Sequence, residues 1–161
     1  MDASALSRIN AWTYCWRLAH DYPVTGGGFE AFTPELFSRY APNPQDVHGP
    51  HSIYFGVLAE HGFVGLGLYL LLLASCFRDL ARVRRFGREQ GEDRICAYAN
   101  MLQVCLLAFM LAGAFLGRTY FDYYFTIVAG TAILTRLCRE GGPIGETDAG
   151  EAELEAEEQI A

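Results

Sequence analysis

Three histidines and a glutamate crowd residues 47–65, VHGPHSIYFGVLAEHGFVG, where a polar loop gives way to an apolar run that reaches Phe77. A helix of ~20 mostly apolar residues can cross a bilayer, and ionisable groups in or beside one are costly enough to point to function. His51 stands where that helix would begin. There an imidazole meets water and ligand and can take up a proton near neutral pH, which is the chemistry of a general base. A helix start also offers unpaired N–H groups, here at His51 and Ser52, and the positive end of a dipole, a setting suited to phosphate. Arg8 lies four residues before Trp12 in a predicted helix, so its guanidinium either stacks on the indole or points past it at an anion. Together Arg8, His51 and Ser52 describe a pyrophosphate site beside a base.

A helix starting near His51 carries Phe55, Leu58, Gly62, Gly65 and Tyr69 within about 40° of His51 around its axis. Glycines on that face let a neighbouring helix approach closely, so the face is expected to meet protein rather than lipid. Glu60 falls about half a turn around and roughly 13 Å deeper, so it cannot touch His51. Glu60 is therefore read as a structural polar anchor to another helix, protonated or paired with an arginine. His48 and His61 are read as structural as well.

The elements that must position these groups are legible in outline. Residues 4–19 read as a helix with Leu6, Ile9, Trp12 and Trp16 along one side, a stripe that favours a membrane interface. Pro23 ends it. Residues 21–32, DYPVTGGGFEAF, then supply three consecutive glycines, where the backbone can take positive φ or approach another group closely. Gly26 and Gly28 are candidate substrate contacts, with a plain turn as the equal alternative. The loop lacks the Lys-Ser/Thr and the preceding strand of a phosphate-binding loop. Thr33, Pro34 and Glu35 form a cap, a first-turn proline and an acid that open a short helix through Arg39, and residues 41–50, with three prolines, form an ordered loop.

Net charge is −7 over 161 residues, but residues 140–161 hold eight of the nineteen acids and no base. The remaining body is nearly neutral, and all twelve of its basic residues are arginine. No nucleic-acid partner is expected. Apolar segments at 53–77, 95–117 and 121–138 each have the length of a span. Six arginines lie between positions 78 and 94, and Arg136 and Arg139 flank the third segment. Arginine-rich flanks mark the cytoplasmic side. The expected order is therefore an external helix and loop at 1–50, a transmembrane helix at 51–77 and a cytoplasmic Arg-rich loop at 78–94. A second transmembrane helix follows at 95–117, then a short external turn and third helix at 118–138, then a disordered acidic tail at 139–161. The fold class is all-α integral membrane. Four of the five cysteines fall in or near spans and only Cys15 lies outside them, with neither a disulfide framework nor metal-ligand spacing, so no metal or cofactor is expected. Residues 1–28 lack a basic segment followed by an apolar core, so an external N-terminal half without a leader points to the C-terminal part of a larger membrane protein. Two classes stay open on these grounds: an enzyme using His51 and Arg8, and a non-catalytic transporter segment or assembly subunit in which Glu60 and His61 serve helix packing or ion passage.

The motifs SRINAW at 7–12, PVTGGGF at 23–29, and HSIYF at 51–55 followed by EHGFVGL at 60–66 resemble the O-antigen ligase/polymerase family. The finer text looks most like the O-glycosylation ligases associated with exosortase A systems. The resemblance covers roughly residues 4–75, and the last two spans only by topology. It implies a metal-independent glycosyltransferase of the bacterial inner membrane. Such a protein moves a glycan from an undecaprenyl-diphosphate carrier to a hydroxyl of an acceptor glycan, lipid or protein on the periplasmic side. In that family pattern His51 matches the catalytic histidine, a general base, and Arg8 matches an arginine that holds the diphosphate. The family also uses an arginine in an earlier external loop, to which no position here corresponds, so the N-terminal transmembrane portion of a parent protein is an expected partner.

Overall fold

The computed structural model describes residues 3–117 and 122–140, all helices and connecting loops with no strand among them. The expected acidic tail at 141–161, with its predicted disorder, lies outside these residues, as do positions 118–121 of the expected external turn. The elements are α1 (Ala3–Asp21), α2 (Pro34–Tyr40), α3 (Ile53–Gln90), α4 (Asp93–Gly113) and α5 (Asp122–Glu140).

The first two helices form an N-terminal layer. Pro23 bars continuation of α1, whose end is followed by the Tyr22 N–H bonding to the Leu18 carbonyl at 3.0 Å. In α2 the Thr33 hydroxyl accepts from the Leu36 N–H at 3.3 Å, Pro34 occupies the first turn, and Arg39 lies in the last turn. The layer's core is Tyr14, Cys15, Leu18, Ala31, Phe37, Tyr40 and Ala59, with Tyr14 stacked on Phe37 at 4.1 Å and its hydroxyl donating to the Ala31 carbonyl. Burial pushes the Tyr14 hydroxyl and the Cys15 thiol well above their ordinary ionisation ranges. The face of α1 turned inward is therefore Ala11, Tyr14, Cys15 and Leu18, while Leu6, Ile9 and Trp16 remain exposed. Trp12 departs from the expected stripe. It turns inward, stacking on Phe55 at 5.1 Å and 6° and donating its indole N–H to the Pro50 carbonyl at 2.8 Å.

The other three helices form a bundle in which α3 meets both α4 and α5, and it is α3 that α1 packs against. Gly91 ends α3 in the left-handed conformation, and the Glu92 N–H returns to the Gly87 carbonyl at 2.8 Å, so α4 folds straight back on α3. Close approach depends on small residues: a Cβ on Gly87 would sit 2.9 Å from Cys96 Sγ, and one on Gly113 would sit 2.4 Å from Ile53 Cδ1. The buried seams are Ile53, Leu73, Leu106, Phe109, Tyr124 and Ile127, then Leu80, Val83, Ile95, Ala99 and Leu134.

One expectation about the spans needs correction. The arginine-rich stretch expected as a loop at 78–94 is helical through Gln90. Arginine is a good helix former, Asp79 and Glu89 pair with Arg82 and Arg85 at 3.1 and 2.8 Å along the helix, and Leu80 and Val83 keep an apolar seam toward α4. Of the three expected spans, α3 and α4 are long and apolar enough to cross a membrane; α5 is helical but is not among them. Large apolar side chains on the outer surfaces of α3 and α4, including Leu68, Leu71, Val104 and Leu111, are exposed. In water such a surface would be costly, and it fits a lipid or helical neighbour.

Candidate functional site

The helix start that should carry His51 lies two residues later. His51 precedes α3 with φ 48°, one of two non-glycine residues in the left-handed region among the described residues, and Ser52 is the cap residue. Histidine is among the residue types that tolerate this region, at a cost on the order of 1 kcal/mol. His51 therefore does not share a helical face with Phe55, Leu58 and Gly62, and the depth argument that separated it from Glu60 no longer holds as a helix calculation. Its side chain is exposed. Gly117, past the end of α4, covers its backbone, since a Cβ there would lie 3.3 Å from His51 Cα. Among the described residues the His51 imidazole makes no hydrogen bond, and its ring contact is with His48, centroids 5.9 Å apart.

The loop ahead of His51 is fastened to α1. Asn10 donates from Nδ2 to the carbonyls of Asn43 at 3.0 Å and Asp46 at 3.3 Å, and accepts from the Asn43 N–H at 2.7 Å. The Ser7 hydroxyl donates to Asp46 Oδ2 at 2.8 Å and lies 3.2 Å from His48 Nε2. Trp12 holds Pro50 as described. Ser7, Asn10 and Trp12 thus bind three points of the loop, and Arg8 lies between them in sequence on α1. Arg8 is half-buried and lines an open groove of about 380 Å³ with Ser4, Ala5, Ile9 and Trp12. One face of the Trp12 indole is taken by Phe55, and the cation–π contact found is that of Arg39 over Tyr40 at 5.2 Å.

Ser52 is buried, carries no side-chain cap bond, and its carbonyl accepts the first helical bond from Gly56 at 2.9 Å. The first-turn amides of α3 therefore lie ahead of the helix's own bonding. On the other side of Ile53 an apolar groove of about 360 Å³ opens between Phe109, Ala112, Leu116 and Tyr123.

The glycine loop has a purpose that sequence reasoning missed. Gly62 breaks α3 with φ 66° and ψ −166°, a conformation open essentially to glycine alone. An unbroken helix would bond Phe63 and Val64 N–H to the carbonyls of Ala59 and Glu60. Instead Phe63 and Val64 donate to Pro23 O at 2.8 and 3.4 Å, while Ala59 and Glu60 accept from Gly27 and Gly28 at 2.7 and 3.1 Å. The loop replaces the missing turn, satisfying these two amides and two carbonyls that the break frees, as the interior of a membrane protein requires. Gly26 is buried beneath it, with its N–H on the Tyr22 carbonyl. The amides of Gly26 and Gly28, expected as substrate contacts, are thus taken up inside the protein. The signal in the sequence was the coincidence of a glycine run with a glycine inside an apolar helix. Glu60 and His61 flank this break, both half-buried, with His61 edge-on to Phe29 at 5.1 Å. The structure brings His48, His51 and Ser52 together beside the stretch of α1 whose Ser7 and Trp12 flank Arg8 in sequence, and leaves Gly26, Gly28, Glu60 and His61 in the lock.

Residues 1–70 match the protein family described as O-antigen ligase. The matched stretch takes in α1, the glycine loop, His51 and the break in α3. It supports a relationship to O-antigen ligases and, with it, glycan transfer in general, in a protein with two apolar helices of membrane-spanning length. No curated protein and no solved structure matches the chain.

Proposed function

We propose that this chain carries the acceptor-activating end of a membrane glycosyltransferase. It would transfer a glycan from an undecaprenyl-diphosphate carrier to an acceptor hydroxyl at the periplasmic face of the bacterial inner membrane. The observation that carries the reading is the exposed His51 imidazole, free of hydrogen bonds among the described residues, on a loop fastened to the helix that bears Arg8. An acceptor O–H gives its proton to His51 as its oxygen attacks the anomeric carbon. The bond from that carbon to the diphosphate oxygen breaks, and the negative charge leaves with the carrier. The diphosphate is already a good leaving group, so the protein's task is charge stabilisation and a base, without a metal or a covalent intermediate. Arg8, with its planar fork of donors, and the first-turn amides of α3 beyond Ser52 are suited to that charge. The apolar groove beside Ile53 suits the start of an isoprenoid chain. In this orientation the N-terminal layer is periplasmic and the arginine-rich end of α3 cytoplasmic, and the finer resemblance to exosortase-associated O-glycosylation ligases belongs to the same proposal.

The test is transfer of a lipid-linked glycan by membranes containing the protein, with enzyme amount normalised by immunoblot. His51→Ala should remove transfer while leaving protein level intact. Transfer at the native rate would reject the reading in favour of a non-catalytic membrane subunit.

A further inference from the structure

His48 is pinned at both ring nitrogens. Its Nδ1 lies 3.1 Å from the Asp46 carbonyl oxygen and 3.3 Å from Asp46 Oδ1, both acceptors, so Nδ1 carries a hydrogen there. Its Nε2 lies 3.2 Å from Ser7 Oγ, whose own hydrogen goes to Asp46 Oδ2 at 2.8 Å. The His48 ring is thus held at both of its nitrogen edges, by Asp46 on one side and Ser7 on the other. Asp46 is held in turn through its carbonyl by Asn10. The His48 ring is the one that faces His51, tilted by 31°.

We infer that Ser7, Asp46 and His48 form a positioning clamp for His51, a hydrogen-bonded wall that orients its imidazole while leaving both of its nitrogens open. The inference rests on the reading of His51 as the base. An exposed side chain on a short loop samples several rotamers, and a misplacement of ~1 Å in a reacting group can cost up to ~10² in rate. The Gly117 contact fixes the His51 backbone but not its ring. A hydrogen bond to His51 itself, as a carboxylate makes to the histidine of a serine protease, would orient the ring but occupy one nitrogen. Contact with a ring that cannot turn orients it without occupying either. Ser7, Asp46 and His48 are positioning residues in this scheme.

The clamp is tested without relying on turnover. In the detergent-solubilised protein the Cε1–H resonance of His51 is assigned by its loss in His51→Ala. It is then followed in Ser7→Ala, Asp46→Asn and His48→Gln. Ser7 and Asp46 make no hydrogen bond to the His51 ring, so a shift or broadening of its signal in their variants, with no further change in the Ser7→Ala/Asp46→Asn double variant, is the expected result. In transfer assays the same single variants should lower kcat about tenfold, with KM for the lipid-linked donor unchanged. A His51 signal that stays in place overturns the clamp, as does loss of melting temperature or protein level with kcat unaltered. If the signal moves while His51→Ala transfers at the native rate, the clamp geometry holds and the general-base reading fails.

Discussion

Gly27 donates its N–H to the carbonyl of Ala59 at 2.7 Å, in the place that Phe63 would fill if α3 were continuous. This bond and its neighbours make the glycine loop part of the helix wall, and they connect the N-terminal layer to the bundle seven to twelve residues after Ser52.

Replacing the glycines of this lock should therefore be severe. A Cβ on Gly62 would lie 2.5 Å from the Pro23 carbonyl oxygen, and one on Gly26 would lie 2.5 Å from the Glu60 carbonyl carbon. Both obstacles are backbone, and both glycines have positive φ. Gly62→Ala and Gly26→Ala should each cost at least 1–3 kcal/mol. Gly28→Ala should cost less, because nothing lies within 4 Å of its added Cβ and only its φ of 80° opposes the change. Melting temperatures in detergent should rank Gly28→Ala above the other two; an equal loss at all three would show that close packing of the loop is not the cause.

The N-terminal layer should also loosen in alkali. Tyr14 and Cys15 are buried in neutral form, and their ionisation is raised chiefly by burial from ordinary values of 10.0 and 9.0. Once pH exceeds those ordinary values the unfolded chain releases protons that the folded chain retains, so the stability contribution is full below them and falls as pH rises further. Tyr14→Phe and Cys15→Ala should together flatten the loss, measured as melting temperature against pH from neutrality to about pH 11. An unchanged slope in the double variant would assign the alkaline transition to other groups.

Much of the N-terminal layer could be read from the chain because its boundaries depend on local chemistry. Thr33 and Pro34 start α2, Pro23 stops α1, and the loop at 41–50 appears where three prolines exclude regular structure. The break in α3 was not legible in the same way. Hydropathy reports what lipid tolerates, and its value over residues 53–77 is the same whether the helix is continuous or broken at Gly62. Nor does hydropathy mark the end of a helix, so the change to arginine after Phe77 resembled a loop although Asp79, Arg82, Arg85 and Glu89 are well placed for helical pairs. The candidate site was legible by residue type: His51 and Arg8 stand out by chemistry. What residue type could not supply was the backbone of His51, whose left-handed turn lies against Gly117, more than sixty residues away in the chain.

The two ends of α3 should be accessible from opposite sides of the membrane. The loop at 41–50 is held beside Ser52, while Arg78, Arg82, Arg84, Arg85 and Arg88 cluster at the far end, and arginine-rich ends stay in the cytoplasm. In a cysteine-free background, an external thiol reagent should modify Gln45→Cys and spare Glu89→Cys, both at exposed positions. Position 87 is unsuitable for a probe, because a side chain there would strike Cys96 and Ile95. Labelling of both positions in intact cells would rule out the orientation.

Within the transfer reaction the four histidine and arginine positions should separate by kind of loss. His51→Ala removes the proposed proton acceptor and should lower kcat by ~10²–10⁴, the usual contribution of a general base. His48→Ala removes the ring that orients His51 and two hydrogen bonds, so its loss should be smaller, and it should be non-additive with Asp46→Asn, since both act through one network. His61→Ala, at the break beside Phe29, should change melting temperature and protein level while kcat per molecule stays near native. Arg8→Lys keeps the positive charge and loses the planar fork proposed to grip two phosphate oxygens, so it should raise KM for the lipid-linked donor as well as lower kcat. The decisive comparison is His51→Ala against His61→Ala at matched protein amounts. Similar transfer rates in the two would mean that His51 has no chemical role, and the fastening of its loop by Ser7, Asn10 and Trp12 would then serve folding alone.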